Sequence, residues 1–212
     1  MSGEEDADPV VAVGVGPWDG PWPDDPRYDP DLLDQGDRRN VVDRYRYWTV
    51  EAIVADLDTR RHPFVVAIEN WRHDLNIGTV VRTANAFLAA EVVIVGNRRW
   101  NRRGAMVTDR YQHVRHLPTA ADLAAWAAGQ DLPIVAVDNL PGAVPLETLA
   151  LPRRCVLVFG QEGSGISDEV RAVASVTTSI AQYGSTRSIN AGVAAGIAMH
   201  AWVRQHAGPP QE

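Results

Sequence analysis

Residues 155–167, Cys155-Val156-Leu157-Val158-Phe159-Gly160-Gln161-Glu162-Gly163-Ser164-Gly165-Ile166-Ser167, decide the fold. The run from Cys155 is short, apolar and β-branched, and it reads as a buried strand over 154–159. It breaks into a glycine-rich loop, after which Ser167 caps a short helix through Val173. A second tight turn, Ser185-Thr186-Arg187-Ser188-Ile189-Asn190-Ala191-Gly192, opens a long small-residue stretch from Ala191 to Val203. That stretch reads as a buried helix, with Ser188 as its expected cap. Two tight loops near the ends of parallel strands make a pocket walled by backbone amides and carbonyls, and glycine lets that backbone approach a ligand closely.

Upstream, Phe64–Ile68 is a strand, a loop follows to Gly78, and a helix runs from about Ile77 to Leu88 with Val80, Val81, Ala84 and Phe87 on one face. Glu91–Val95 is the next strand. A β-α-β order of this kind implies a parallel sheet with a right-handed crossover. Thr119 to Gln130 is an amphipathic helix capped by Thr119, Leu132–Val137 is a strand, and Ala174–Ile180 is the last one. The class is α/β, with roughly six strands and as many helices.

The 212 residues bound one domain with an appendage, and the single cysteine, Cys155, excludes an internal disulfide. A reducing cytoplasm fits that usage. No apolar run approaches ~18–20 residues, so no membrane span is expected. The net charge of −7 is unevenly spread: residues 1–43 hold twelve acids and three arginines, residues 44–212 fifteen acids and seventeen arginines. Residues 1–40, rich in Asp, Pro and Trp, read as a largely disordered acidic arm. Residues 41–61 read as a leading helix, 62–206 as the folded domain and 207–212 as a tail. Gly14-Val15-Gly16 is no dinucleotide fingerprint, because Pro17, Pro21 and Pro23 leave no helix after it.

Every fixed side-chain cation is arginine; the chain contains no lysine. Arg98, Arg99, Trp100, Arg102, Arg103 and Arg110 interleave cations with an aromatic over 97–116, which suits a nucleic-acid backbone with a stacked base. A solvated loop is the plainer alternative. The six histidines are scattered, with no ligand spacing at His113 and His116, so no metal is expected.

Three segments, in order and spacing, resemble the motifs of the SpoU (TrmH-like) branch of the SPOUT RNA methyltransferases. They are Asn76-Ile77-Gly78 with Arg82-Thr83-Ala84, Phe159–Gly163 running to Gly165-Ile166-Ser167, and Ser188-Ile189-Asn190 running to Val193–Ile197. The resemblance covers about residues 62–205. It implies a parallel sheet whose C-terminal part forms a deep trefoil knot, S-adenosylmethionine as cofactor, a homodimer, and methylation of a ribose 2′-hydroxyl in tRNA or rRNA. Two positions depart from the pattern: Gly192 stands where a serine is usual, and Leu88-Ala89-Ala90 where a glycine is common. A catalytically silent RNA-binding protein, a base-nitrogen methyltransferase and a plain nucleotide-binding module are the competing classes.

By the same resemblance Arg82, Asn76, Glu162, Ser188 and Asn190 are the catalytic set, with Asn76 orienting Arg82. Val137, Gly160, Ile166, Ile180, Ser188 and Ile189 embrace the cofactor. A guanidinium has a pKa above about 12 and does not serve as a base, so Arg82 reads better as a fork on a phosphate and a developing alkoxide. Glu162 is placed to fix Arg82 or Asn190 by hydrogen bonds.

Overall fold

The computed structural model describes residues 14–71 and 76–208. The first thirteen residues of the acidic arm, four residues of the motif loop and most of the C-terminal tail lie outside it. The chain divides into two units, Met1–Asp56 and Leu57–Glu212.

In the first unit, residues 14–40 carry packed structure where the composition suggested a largely disordered arm. A short helix α1 (Pro30–Gln35) starts on the Asp29 side chain, which accepts from the Asp31 amide, with proline inside its first turn. Val15 bridges Asp37, and Trp18 packs edge-on against Tyr28 and Tyr47 with centroids 5.8 and 5.3 Å away. Arg27 lies over the Trp48 ring at 4.4 Å. Asp37 is fully buried and accepts from Arg39 Nε (2.9 Å), Arg39 Nη2 (2.7 Å) and the Tyr47 amide (3.0 Å). A few aromatics and one satisfied carboxylate thus organise an acidic, proline-rich segment.

The leading helix is also shorter than its sequence pattern suggests. Asp43–Tyr45 is one 3-10 turn, Tyr47 sits at φ 63°, and only then does α2 run from Val50 to Asp58. The left-handed residue breaks the helix that the apolar spacing alone would have continued.

The second unit is a seven-stranded sheet, all parallel. Its strands are β1 (His62–Asn70), β2 (Ala89–Gly96), β3 (Val114–Leu117), β4 (Ile134–Val137), β5 (Val144–Pro145), β6 (Cys155–Phe159) and β7 (Val176–Ser179). The spatial order is β3-β2-β1-β6-β4-β7-β5. The helices are α3 (Asn76–Ala86), α4 (Ala120–Gly129), α5 (Asp168–Val173) and α6 (Ala191–His206). Phe64, Val66 and Ile68 of β1 join Ile77, Val80, Ala195 and Trp202 in one apolar layer, while Val65 and Ala67 join Leu123, Ala127 and Val170 in the other. Burial on both faces is why β1 and β6 read as unbroken apolar runs. Thr119 caps α4 and Ser167 caps α5, as their sequence positions suggest. Cys155 is buried in β6, and burial pushes its thiol up to about 12, which leaves it unreactive.

Two strands went unread. β3 hides in the arginine-rich stretch because an edge strand, incompletely covered on either face, tolerates Arg115 and His116. β5 has only two residues and pairs with β7. Among the described residues, no helix is long and apolar enough to cross a membrane.

Candidate active site

The three sequence motifs meet through side chains. Asn76, the first residue of α3 and 8% exposed, donates through Nδ2 to Glu162 Oε2 at 3.0 Å. Its Oδ1 accepts from Asn190 Nδ2 at 2.8 Å, and the same Nδ2 lies 3.3 Å from Glu162 Oε1. Two amides and one carboxylate from distant parts of the chain thus close a triangle. Asn190 also starts α6, its Oδ1 accepting from the amides of Gly192 (2.9 Å) and Val193 (3.2 Å). The cap of this helix is therefore Asn190, not Ser188. Ser188 lies two residues upstream of that cap and lines the neighbouring cavity instead. Glu162 takes the partner that its loop position allows, Asn190.

Arg82 sits one and a half turns along α3, exposed beside Thr79 and Ala86 on the same stripe. Among the described residues it has no hydrogen-bond or ion-pair partner, so Asn76 bonds Glu162 and Asn190 rather than Arg82. The guanidinium is left available to an incoming anion. Gly192, where a serine was expected, has little room for one: an added Cβ would lie 3.1 Å from Thr79 Cγ2 and 3.2 Å from Asn190 Oδ1.

Beside the triangle lies a cavity that opens to solvent at the C-terminal ends of β4, β6 and β7, three neighbouring strands. Val137, Gly160, Ile180, Ser188 and Ile189 line it as expected. Ile166 does not; its amide donates to Asp138 Oδ2 at 2.9 Å. That bond sews the loop after β4 to the glycine loop, which is itself closed by paired amide–carbonyl bonds between Gln161 and Gly165. The glycines are obligatory here. A Cβ on Gly160 would fall 2.0 Å from the Gly165 carbonyl carbon, and one on Gly165, at φ +67°, would fall 2.4 Å from Asp138 Oδ2.

The cavity fits a polar organic cofactor on two grounds. Its walls are backbone and small apolar side chains, and Gln182 Oε1 is buried there without a donor among the described residues. A buried acceptor left without a donor costs about 1–3 kcal/mol, which a ligand N–H or O–H would recover. Asp138 and Gln182 were not singled out from the sequence. An acid directly after a buried strand was a legible signal for the first; the second carries none.

The basic stretch is anchored to the helix that carries Asn76. Its 3-10 turn Arg103–Ala105 meets the start of α3 backbone to backbone: a Cβ on Gly78 would lie 2.8 Å from Gly104 Cα, and one on Gly104 2.9 Å from the Thr79 amide nitrogen. Arg98, Trp100 and Arg102 line a polar recess with Asp109 and His116. Arg102 pairs with Asp109 at 3.2 Å and lies 5.4 Å from the Trp100 ring, which is partly buried. Arg99, Arg103 and Arg110 are exposed. His113 binds Asp58 at 2.8 Å, and no cluster of three metal-ligating side chains occurs among the described residues.

Comparison with known proteins agrees with this geometry. The model of the SpoU rRNA methylase family matches residues 63–200. The tRNA (guanosine(18)-2′-O)-methyltransferase of Escherichia coli K12 is 28% identical over 158 residues, 73% of this chain and 69% of that protein. An uncharacterised tRNA/rRNA methyltransferase of Mycobacterium sp. (strain KMS) is 33% identical over 148 residues, 66% of this chain and 46% of that one. The chain thus spans less than half the length of the mycobacterial relative. The AdoMet-bound rRNA methyltransferase of Sinorhizobium meliloti superposes with a TM-score of 0.60 at 26% identity, over 70% of this chain and 59% of that structure. The family model covers well over half of the chain, Asn76, Glu162 and Asn190 included, and on that ground the chain belongs to the SpoU rRNA methylase family.

Proposed function

We propose that this protein transfers a methyl group from S-adenosylmethionine to a ribose 2′-hydroxyl of tRNA or rRNA. The observation that carries the reading is the Asn76–Glu162–Asn190 triangle beside a glycine-walled cavity. S-adenosylmethionine, when bound, supplies an electrophilic methyl on a sulfonium. Val137, Gly160, Ile180, Ser188 and Ile189 would hold it, with Gln182 Oε1 accepting one of its N–H or O–H groups.

The residues of the chain then have to position the hydroxyl and stabilise the charge it develops. Methyl transfer would join the 2′-oxygen to the methyl carbon as the donor's C–S bond breaks, and the hydroxyl proton would have to leave. Arg82 keeps its charge throughout and forks onto an RNA phosphate and the developing alkoxide, and the proton passes to phosphate or water. The triangle fixes the start of α3, and so fixes Arg82 relative to the glycine loop.

The finer assignments rest on the same reading. Residues 62–206 are the catalytic domain, and its C-terminal part is the family's trefoil knot. The bond from Ile166 to Asp138 and the side-chain-free approach of Gly160 to Gly165 support interlocked loops there. The working form is a homodimer in the cytoplasm, and Val193 and Ile197, exposed one turn apart on α6, support a protein contact. RNA is held by Arg98, Arg99, Trp100, Arg102, Arg103 and Arg110.

The test is transfer of labelled methyl from S-adenosylmethionine into unmodified tRNA and rRNA, beside Arg82→Ala and Arg82→Lys. Label resistant to alkali at the modified linkage, and reduced about 10²-fold or more in both variants, is the expected result. Full rate in Arg82→Lys would refute the forked clamp. Alkali-labile label would indicate base methylation, and no transfer despite cofactor binding would indicate a silent RNA-binding protein.

A further inference from the structure

Trp71 follows β1 directly, five residues before Asn76, and 42% of it is exposed. Exposed tryptophans are usually mobile or shared with a neighbour. This one is held at three points. Its amide donates to Gln161 Oε1 at 2.9 Å, its indole Nε1 to Glu69 Oε1 at 2.8 Å, and its carbonyl accepts from Asn97 Nδ2 at 2.9 Å. Gly96, at φ +105°, lets the benzo ring sit on backbone; a Cβ there would lie 2.7 Å from Trp71 Cε3.

The acid that holds the ring is itself buried, and a buried amide beside it fixes the facing loop. Glu69 is 0% exposed, and its other oxygen accepts from the Ser167 amide at 2.8 Å. Asn70, also 0% exposed, donates to the carbonyls of Asn97 and Arg99, both at 2.7 Å. Burying an acid to immobilise a ring makes little sense for a strut, since a strut would itself be covered. The ring is also placed between two functional segments. Gln161 adjoins Glu162 of the triangle, and Asn97 adjoins Arg98 of the basic stretch.

We propose that Trp71 is a stacking platform for an unpaired base of the RNA substrate, next to the ribose that is methylated. The inference rests on the RNA-methyltransferase reading. A flat ring held rigid beside phosphate-binding cations is the element that single-stranded RNA recognition requires, because every base presents a π-face. The pinned ring loses little freedom on binding.

The experiment uses RNA from a strain lacking this gene, with wild type, Trp71→Ala and Trp71→Phe. Methyl transfer gives KM and kcat for the accepting RNA, filter binding gives RNA affinity, and calorimetry gives S-adenosylmethionine affinity. Trp71→Ala is expected to raise the KM for RNA and weaken RNA binding by about tenfold or more, the loss of one base stack. Its kcat and cofactor affinity stay within about threefold. Trp71→Phe, which keeps a ring and loses only the bond to Glu69, stays near wild type. An unchanged KM in an active Trp71→Ala overturns the platform alone, as does a loss of cofactor affinity in that variant. An inactive wild type whose RNA binding still falls in Trp71→Ala overturns the methyltransferase reading and keeps the platform. An inactive wild type with unchanged binding overturns both.

Discussion

Asn190 holds two structures together, and its replacement separates them. Alanine removes the cap that takes the amides of Gly192 and Val193, worth about 0.5–2 kcal/mol. It also takes the Asn190 Nδ2 donor away from the Oδ1 of the nearly buried Asn76, at a further cost of about 1–3 kcal/mol. A combined loss of about 1.5–5 kcal/mol in a chain of this size lowers the melting temperature by about 3–20 °C. Asn190→Ser keeps a capping oxygen and loses the amide donor, so it should fall between alanine and wild type. Asn190→Asp keeps the cap but sets a second carboxylate against Glu162, 3.3 Å away. It should be less stable than wild type near neutral pH, where two like charges face each other. Thermal denaturation followed by circular dichroism, across pH, measures all three. Asn190→Ala within about 1 °C of wild type would refute the reasoning, as would Ser188→Ala melting as low as Asn190→Ala.

Two further outcomes follow from the geometry. Gly160→Ala drives a Cβ to about 2 Å from the Gly165 carbonyl and must displace the loop, so S-adenosylmethionine binding measured by calorimetry should be lost; retained affinity would mean that the cavity is not the cofactor site. Burial alone would raise the pKa of Asp37, but hydrogen bonds from the Arg39 guanidinium and from the amides of Arg39 and Tyr47 outweigh it and hold the carboxyl below its ordinary 3.8. A depressed pKa gives stability that is complete above that ordinary value and lost as pH falls through the folded one. Asp37→Asn should therefore flatten the acid limb of unfolding, read by near-ultraviolet circular dichroism of the surrounding tryptophans; an acid slope equal to wild type would contradict this.

What the sequence revealed, it revealed locally. The strand before Gly160 and the caps at Thr119 and Ser167 follow from apolar runs and from residue types a few positions apart, and all were legible. The triangle was legible only as a set of motif positions, since its bonds join residues 86 and 114 positions apart. Ser188 and Asn190 are both good capping residues, and backbone direction at the helix start decides between them. Residues 14–40 were misread because their composition argues for disorder, whereas a few cross-contacts such as Asp37 with Arg39 and Tyr47 order them. β3 was missed because its open edge carries charge in place of the alternation that marks a half-buried strand.

The meeting of Gly78 with Gly104 has a consequence for how a substrate is measured. Two backbones that touch with no side chain between them have no soft layer to absorb a shift. The loop of Arg102 and Arg103 and the helix of Asn76 and Arg82 therefore move as one piece of rigid tooling. If RNA binds as proposed, a nucleotide gripped by that loop would be gauged against the helix at a fixed distance, and an RNA of the wrong span would be rejected by misfit rather than by a failure to close. The two glycines act as the zero mark of that gauge. Any side chain between them would shift the scale while leaving every polar group of the active site in place.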